Sequence, residues 1–380
     1  MPSSKPLTGY HVVEVGNSVA GPYAGLILAE LGAEVMKIES PNGGDFARGW
    51  GPPFWDGSAP HFTALNRNKR AITCDLGDGK QRDALERLIV TRADAVIFNL
   101  RPGLAGERGL GADKLLAQKP SLVYCDIGAF GRGGPLSHKA GYDPLMQAYA
   151  GIMSIMGEDE TRPPVRVPVS MIDMGTGLWS AIGILSALLE REKTGKGGLV
   201  ETSLLETAVG WATIQLASVT IAPRIMKPQG SGASGIVPYQ AFRAKDAWIV
   251  IGGGNDGLYA KMVDALGRPD LASDERFKTN AGRVQNKAVL IPMLQEEVGK
   301  HTVAEVRALM DGAGVPNAPV QRLDEVLKDE QVTALGILQR GPEGALPTLG
   351  LPVRFDGERP AYERAAPKLG ADGSVLDPKP

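Results

Sequence analysis

The stretch H-V-V-E-V-G-N-S-V-A-G-P-Y-A-G-L-I-L-A-E-L-G-A-E-V-M-K-I-E, from His11 to Glu39, decides the fold class. His11 to Gly16 is a β-branched run of the length of a buried strand. Pro22 to Leu31 then reads as a helix with proline in its first turn, and Ala33 to Glu39 as a second strand. Strand, helix and strand in succession make a βαβ unit with its two strands parallel in one sheet. The turn between them, G-N-S-V-A-G-P, offers backbone N–H groups above the sheet, which suits a phosphate or a plain tight turn.

The same alternation continues outward. Arg67, Lys69 and Arg70 precede a strand, Gln81 to Arg92 is a helix, and Ala95 to Leu100 a strand. A helix near Asp113 to Gln118 leads into a strand at Leu122 to Ile127. The expected class is α/β: an open, mainly parallel, Rossmann-like large domain with helices on both faces. After a Gly/Pro-rich stretch at Pro223 to Gly235 the character changes. Strands at Pro238 to Phe242 and Trp248 to Ile251 form a hairpin, and helices follow at Leu258 to Leu266, Lys287 to Lys300 and Val303 to Gly312. The expected division is 1–200 for the large domain, 201–228 for a linker helix continuing Leu205 to about Ala222, 229–322 for a smaller α+β domain, and 323–380 for a return to the large one.

One acid stands out. Val165 to Ile172 reads as a strand and Leu178 to Leu189 as a helix apolar on nearly all sides, expected inside the protein, with Lys193 and Gly195 marking its end. Asp173 lies between them. From the residues alone, an N-cap that accepts backbone N–H groups is the leading reading. The alternative is a carboxylate nucleophile held by the same helix terminus, with Gly175 and Gly177 letting a ligand approach closely.

A formal net charge of -2 gives no basic field, which argues against nucleic acid or an anionic membrane as partner. The chain begins M-P-S-S-K-P without an apolar leader, and Leu178 to Leu189 is shorter than a membrane span, so a cytoplasmic location and no membrane partner are expected. Cys74 and Cys125 sit in apolar runs and read as buried thiols without a disulfide. His11, His61, His138 and His301 are isolated, which offers no metal set. Gly252 to Gly257 satisfies G-x-G-x-x-G, but the helix after it leads to a loop, where a dinucleotide site needs a second strand ending in an acid.

Several ordered motifs carry a resemblance over nearly the whole length: P-L-T-G-Y-H-V-V-E-V from Pro6, A-G-P at Ala20, L-G-A-E-V-M-K-I-E from Leu31 and G-G-D-x-x-R from Gly43 to Arg48. N-R-N-K-R-A-I from Asn66, A-D-A-V-I-F-N-L-R-P-G from Ala93 and F-G-x-x-G-P from Phe130 follow. R-E-K-T-G-K-G from Arg191, A-G-V-P-x-x-P-V from Ala313 and A-A-P-x-L-G from Ala365 complete the set. With these the chain resembles the family III CoA-transferases (formyl-CoA transferase, CaiB/BaiF type), which share their fold with α-methylacyl-CoA racemases.

The resemblance implies transfer of CoA between an acyl-CoA and a free carboxylic acid, in an interlocked, ring-like homodimer with no tightly bound cofactor, CoA itself being substrate. It places the nucleophile at Asp173, which reverses the order of the two readings above. Glycines at 128–134 or 230–235 are then candidates to exclude water and stabilise the oxyanion. CoA contacts carry over to Val19, Ala20, Asn99, Gly131 and Tyr142 and to the backbone positions at Ser18 and Cys74. Val19, Glu107 and Ala140 replace the glutamine, arginine and lysine of formyl-CoA transferases. That leaves Arg48, Arg70, Arg101 and Arg108, with Arg67 and Lys69, as phosphate candidates. The racemases resemble G-H-D where this chain has Gly141-Tyr142-Asp143, and Tyr142 is a poor base at neutral pH, which favours transfer over racemisation.

Overall fold

The structure is a computed structural model that describes residues 5–222 and 225–379. The start M-P-S-S and two residues of the Gly/Pro-rich stretch lie outside the described residues. The chain divides into two compact units, one of Met1–Ile152, Arg166–Pro223 and Gln331–Pro380, the other of Met153–Val165 and Arg224–Glu330. Residues 204–221, helical throughout apart from Ala212, therefore belong to the first unit.

In the first unit, β1 (His11–Gly16) leads through α1 (Ala20–Glu30) to β2 (Glu34–Glu39) and on to β3 (Arg70–Thr73). After α2 (Gly79–Arg92) come β4 (Ala95–Asn99), α3 (Ala112–Gln118) and β5 (Val123–Gly128). Then follow α4 (Asp143–Tyr149), α5 (Met171–Thr194), β6 (Gly198–Ser203), α6 (Leu204–Trp211) and α7 (Thr213–Ile221).

The strands stand in the order β3-β2-β1-β4-β5-β6 and pair in parallel. Strand order reverses between β1 and β4, and in such sheets a ligand binds in the crevice beyond the carboxyl ends at that point. Alternate residues of each strand feed opposite cores. Val12, Ile97 and Cys125 pack with α1 and α5 on one face. Val13, Val96 and Tyr124 pack with α2 and α3 on the other. The tail adds two short strands beyond β3: Ser374 pairs with Thr73, and Asp372 accepts the Ala71 N–H at 2.9 Å. No sequence period announced them, because each has only two residues.

Four expectations fail in and around α5. Residues 165–170 form no strand: the exposed Val165 and Val169 have no sheet beside them, and Val167 exchanges both backbone hydrogen bonds with the Gln147 amide, at 2.9 and 3.2 Å. The helix has 24 residues, long and apolar enough by length and composition to cross a membrane, where sequence suggested a shorter one. It is also buried on one side only. Leu178, Trp179, Ile182 and Leu189 are exposed in the single chain, while Ile184 and Leu188 are in the core. The single helix expected from Leu205 to Ala222 is two, bent by 61° at Ala212.

The second unit is built on an antiparallel sheet of β7 (Tyr239–Arg243), β8 (Trp248–Gly252) and β9 (Asn317–Pro319). Phe242, Ile249, Met262, Phe277 and Leu294 form its core. The G-x-G-x-x-G segment closes β8, and Asn255 caps the next helix by accepting the Leu258 N–H. Gly254 makes room for Ile236, whose Cγ2 would lie 2.3 Å from an added Cβ, so these glycines serve packing within the unit.

Candidate active site

Asp173 is in the first turn of α5, but as the third helical residue rather than the N-cap, which is Ser170. The capping role falls to another acid. Asp143, 2% exposed, accepts the N–H groups of Ile172 at 2.7 Å and Asp173 at 3.3 Å through Oδ2, and the Gln147 amide at 2.5 Å through Oδ1. A buried carboxylate on orphan amides satisfies the terminus and is favoured by the helix dipole.

Freed from capping, the Asp173 carboxyl meets no hydrogen-bond donor among the described residues. Burial, reinforced by the negative charge of Asp143, raises its pKa to about 7. A half-buried acid so perturbed in a cleft has the profile of a functional group.

Gly175 and Gly177 do not face a ligand. A Cβ on Gly177 would stand 2.5 Å from the Ala20 carbonyl oxygen of α1, and one on Gly175 would stand 2.7 Å from Trp211 Nε1. Their missing side chains let α5 approach α1 and α6. The first approach brings the starts of α1 and α5 together.

Those two starts share a cavity of about 370 Å³ at the sheet's switch point. Asp173 lines it with Ser18, Val19 and Ala20 after β1, Asn99 and Arg101 after β4, and Tyr142 before α4. Asn99 joins two sides of this crevice, accepting the Gly21 N–H at 3.4 Å and donating to the Ile127 carbonyl at 3.4 Å. Among the described residues, Arg101 and Asp173 are the only charged side chains in the lining, and Arg101 is paired with Glu107. A larger cavity of about 730 Å³ shares Leu100, Arg101, Pro102, Ile127 and Gly128, and there Gly131 joins the wall.

The remaining sequence candidates line neither cavity. Arg48 makes a two-pronged pair with Glu39 and lies over the Phe62 ring. Arg70 pairs with Asp372 and Glu34, Arg67 with buried Glu30, and Lys69 with Glu14. Cys74 is buried in the core, with a thiol that burial pushes up to about 12. Arg108 is exposed on the segment after β4. Sequence reasoning passed over Phe46 and Asp143. Phe46, 67% exposed, reaches the cavity from the segment after β2. The proline following Asp143 at a helix start was the available signal for it.

The family model described as "CoA-transferase family III" matches residues 7–373. A succinyl-CoA:glutarate CoA-transferase of Mus musculus is 35% identical over 371 residues, 97% of this chain and 85% of that protein. A succinate–glutarate CoA-transferase of Agrobacterium fabrum is 35% identical, covering 97% and 94%. An acetyl-CoA:oxalate CoA-transferase of Acetobacter aceti is 33% identical, covering 98% and 95%. Among solved structures, a CaiB/BaiF family protein from Brucella suis aligns with a TM-score of 0.87 at 38% identity, covering 98% of each chain. A parallel sheet with an acid at its switch point and motifs matched from end to end lead to one assignment: the chain belongs to CoA-transferase family III.

Proposed function

We propose that this protein transfers coenzyme A from an acyl-CoA to a free carboxylic acid, with Asp173 as covalent nucleophile. The carrying observation is the Asp173 carboxyl: it lines the switch-point cavity, unpaired by any donor among the described residues, beside a second acid that already serves the helix terminus.

An Asp173 oxygen attacks the thioester carbonyl, the C–S bond breaks, and CoA thiolate leaves a mixed anhydride. The thiolate attacks the aspartyl carbonyl, and the anhydride C–O bond breaks to release the donor acid, leaving an aspartyl-CoA thioester. An acceptor carboxylate attacks that thioester, expelling the thiolate. The thiolate then takes the new acyl group and returns Asp173 as a carboxylate. No water or net proton enters, and each intermediate keeps the activation of an acyl group provided water is excluded. A carboxyl raised by burial and a like charge is a stronger nucleophile once ionised than an ordinary aspartate.

CoA lies along Ser18, Val19, Ala20, Asn99, Arg101 and Tyr142. Succinyl-CoA is the first donor to test and glutarate the first acceptor, given the activities named for the relatives. Racemisation finds no support among the activities named for those relatives.

The assembly we propose is a homodimer, interlocked as the family resemblance implies. Its support is the open apolar face of α5, α6 and α7, where Trp179, Trp211, Ile214 and Ile221 are 48%, 42%, 75% and 85% exposed. An apolar patch of this kind on a folded chain marks an interface. A panel of acyl-CoA donors against free acids, read by mass spectrometry of the new thioester, tests the activity. Exchange between succinyl-CoA and a second acid is expected; hydrolysis alone, or no new thioester, would overturn it.

A further inference from the structure

Beneath the loop that carries Ser18 lies a cluster of wholly buried charges. Lys37 Nζ is within 2.8 Å of Glu14 Oε1, 3.0 Å of the Gly16 carbonyl oxygen and 2.9 Å of Asp45 Oδ2. Lys69 Nζ is 2.7 Å from Glu14 Oε2, 2.7 Å from the Pro22 carbonyl oxygen and 2.8 Å from Asn66 Oδ1. The side chains of Glu14, Lys37, Asp45 and Lys69 have no exposure. Two ammonium groups thus meet three oxygens each, and two carboxylates balance them.

Such a cluster costs desolvation that well-packed apolar side chains would not, so stability alone is a weak reason for it. Its geometry supplies another. Asp45 Oδ1 accepts the Ser18 N–H at 2.9 Å and the Ala47 N–H at 2.9 Å. Ser18 is a non-glycine residue at φ 72°, a conformation that needs support from its surroundings. Ser18 and Phe46, next to Asp45, both line the Asp173 cavity. One carboxylate therefore ties together two walls of the site, and Lys37, Glu14 and Lys69 hold that carboxylate in place.

We propose that Asp45 is a positioning residue, fixing the Ser18 turn against the cavity through a frame of buried charges that touches no substrate. Its kinetic consequence rests on the CoA-transfer reading; its structural consequence does not. Single substitutions would strand a buried charge, so the informative pair removes one charge of each sign. In Lys37→Met with Asp45→Asn the side-chain oxygen at 45 remains as acceptor for Ser18. In Lys37→Met with Asp45→Ala it is gone.

Both double variants and wild type are compared by hydrogen–deuterium exchange over Gly16 to Ala20 and by transfer kinetics. The asparagine form should keep the segment protected. The alanine form should exchange faster and lose about tenfold to a hundredfold in kcat relative to the asparagine form, with KM for the acyl-CoA changed less than about threefold, as misplacement rather than lost binding predicts. Equal exchange and equal kcat in the two variants would overturn the proposal. If wild type itself transfers no CoA, the functional reading fails, and the exchange comparison still decides whether Asp45 holds the turn.

Discussion

Asp143 and Asp173 divide the labour of one helix terminus: Asp143 Oδ2 accepts the backbone N–H of Asp173 at 3.3 Å, so the Asp173 side chain is left without that task. The arrangement puts one buried anion close enough to raise the pKa of the next, and separates an acid that holds structure from an acid available for chemistry.

Replacing the proposed nucleophile should be nearly absolute. Asp173→Asn keeps the shape and cannot form the anhydride. Turnover should fall by several orders of magnitude while CoA affinity stays within a few fold. Steady-state kinetics and calorimetric titration of CoA check both halves, and activity above about one per cent of wild type would count against a covalent role.

The pH dependence has a definite sign. The proposed first step needs the Asp173 carboxylate, so kcat/KM for the acyl-CoA should rise with pH through about 7 and level off above it. Asp143→Asn removes the like charge and should shift that limb to lower pH. Stability moves the other way. A carboxyl whose pKa rises from 3.8 unfolded to about 7 folded binds its proton more tightly in the native state, so its contribution is lost as pH climbs through that window. Asp173→Asn should therefore raise Tm more at pH 8 than at pH 5, as thermal melts would show.

Helix contact is testable at Gly177. Adding a methyl 2.5 Å from the Ala20 carbonyl oxygen must push α5 from α1. Gly177→Ala should cost about 1–3 kcal/mol in denaturant unfolding. It should also lower kcat, because Ala20 and Asp173 line the same cavity. Gly195→Ala, at the αL C′ position of α5 with open space around it, should cost stability without that kinetic effect.

The open apolar face predicts the assembly. Light scattering should give twice the chain mass, and Ile214→Glu with Ile221→Glu should lower it or render the protein insoluble. A wild-type monomer that recovers fully without detergent would contradict the proposed dimer.

Much of this was readable in the chain. The strand–helix alternation from His11 to Ile127 carried the parallel sheet, because buried strands are continuous apolar runs with clear glycine and proline boundaries. Asp173 was found as the acid at the start of the long apolar helix. What sequence could not show was which group receives an amide. Val165 to Ile172 has strand composition, yet Val167 pairs with the Gln147 side chain and Ile172 with Asp143, and no local pattern encodes that. In sequence Arg67, Lys69 and Arg70 read as a solvated edge or as phosphate partners, and Arg48 as a further phosphate candidate. Glu39 meets Arg48 from nine residues away, while Glu30, Glu14, Glu34 and Asp372 come from distant segments that only folding brings beside Arg67, Lys69 and Arg70.

The most direct measurement is to trap the enzyme during turnover. Succinyl-CoA is added, the aspartyl thioester is captured with hydroxylamine or borohydride, and the digested chain is mapped by mass spectrometry. Modification of the Asp173 side chain is expected, dependent on acyl-CoA and absent in Asp173→Asn. Sustained CoA exchange with Asp173 unmodified, or the adduct on another residue, would contradict the proposed role of Asp173.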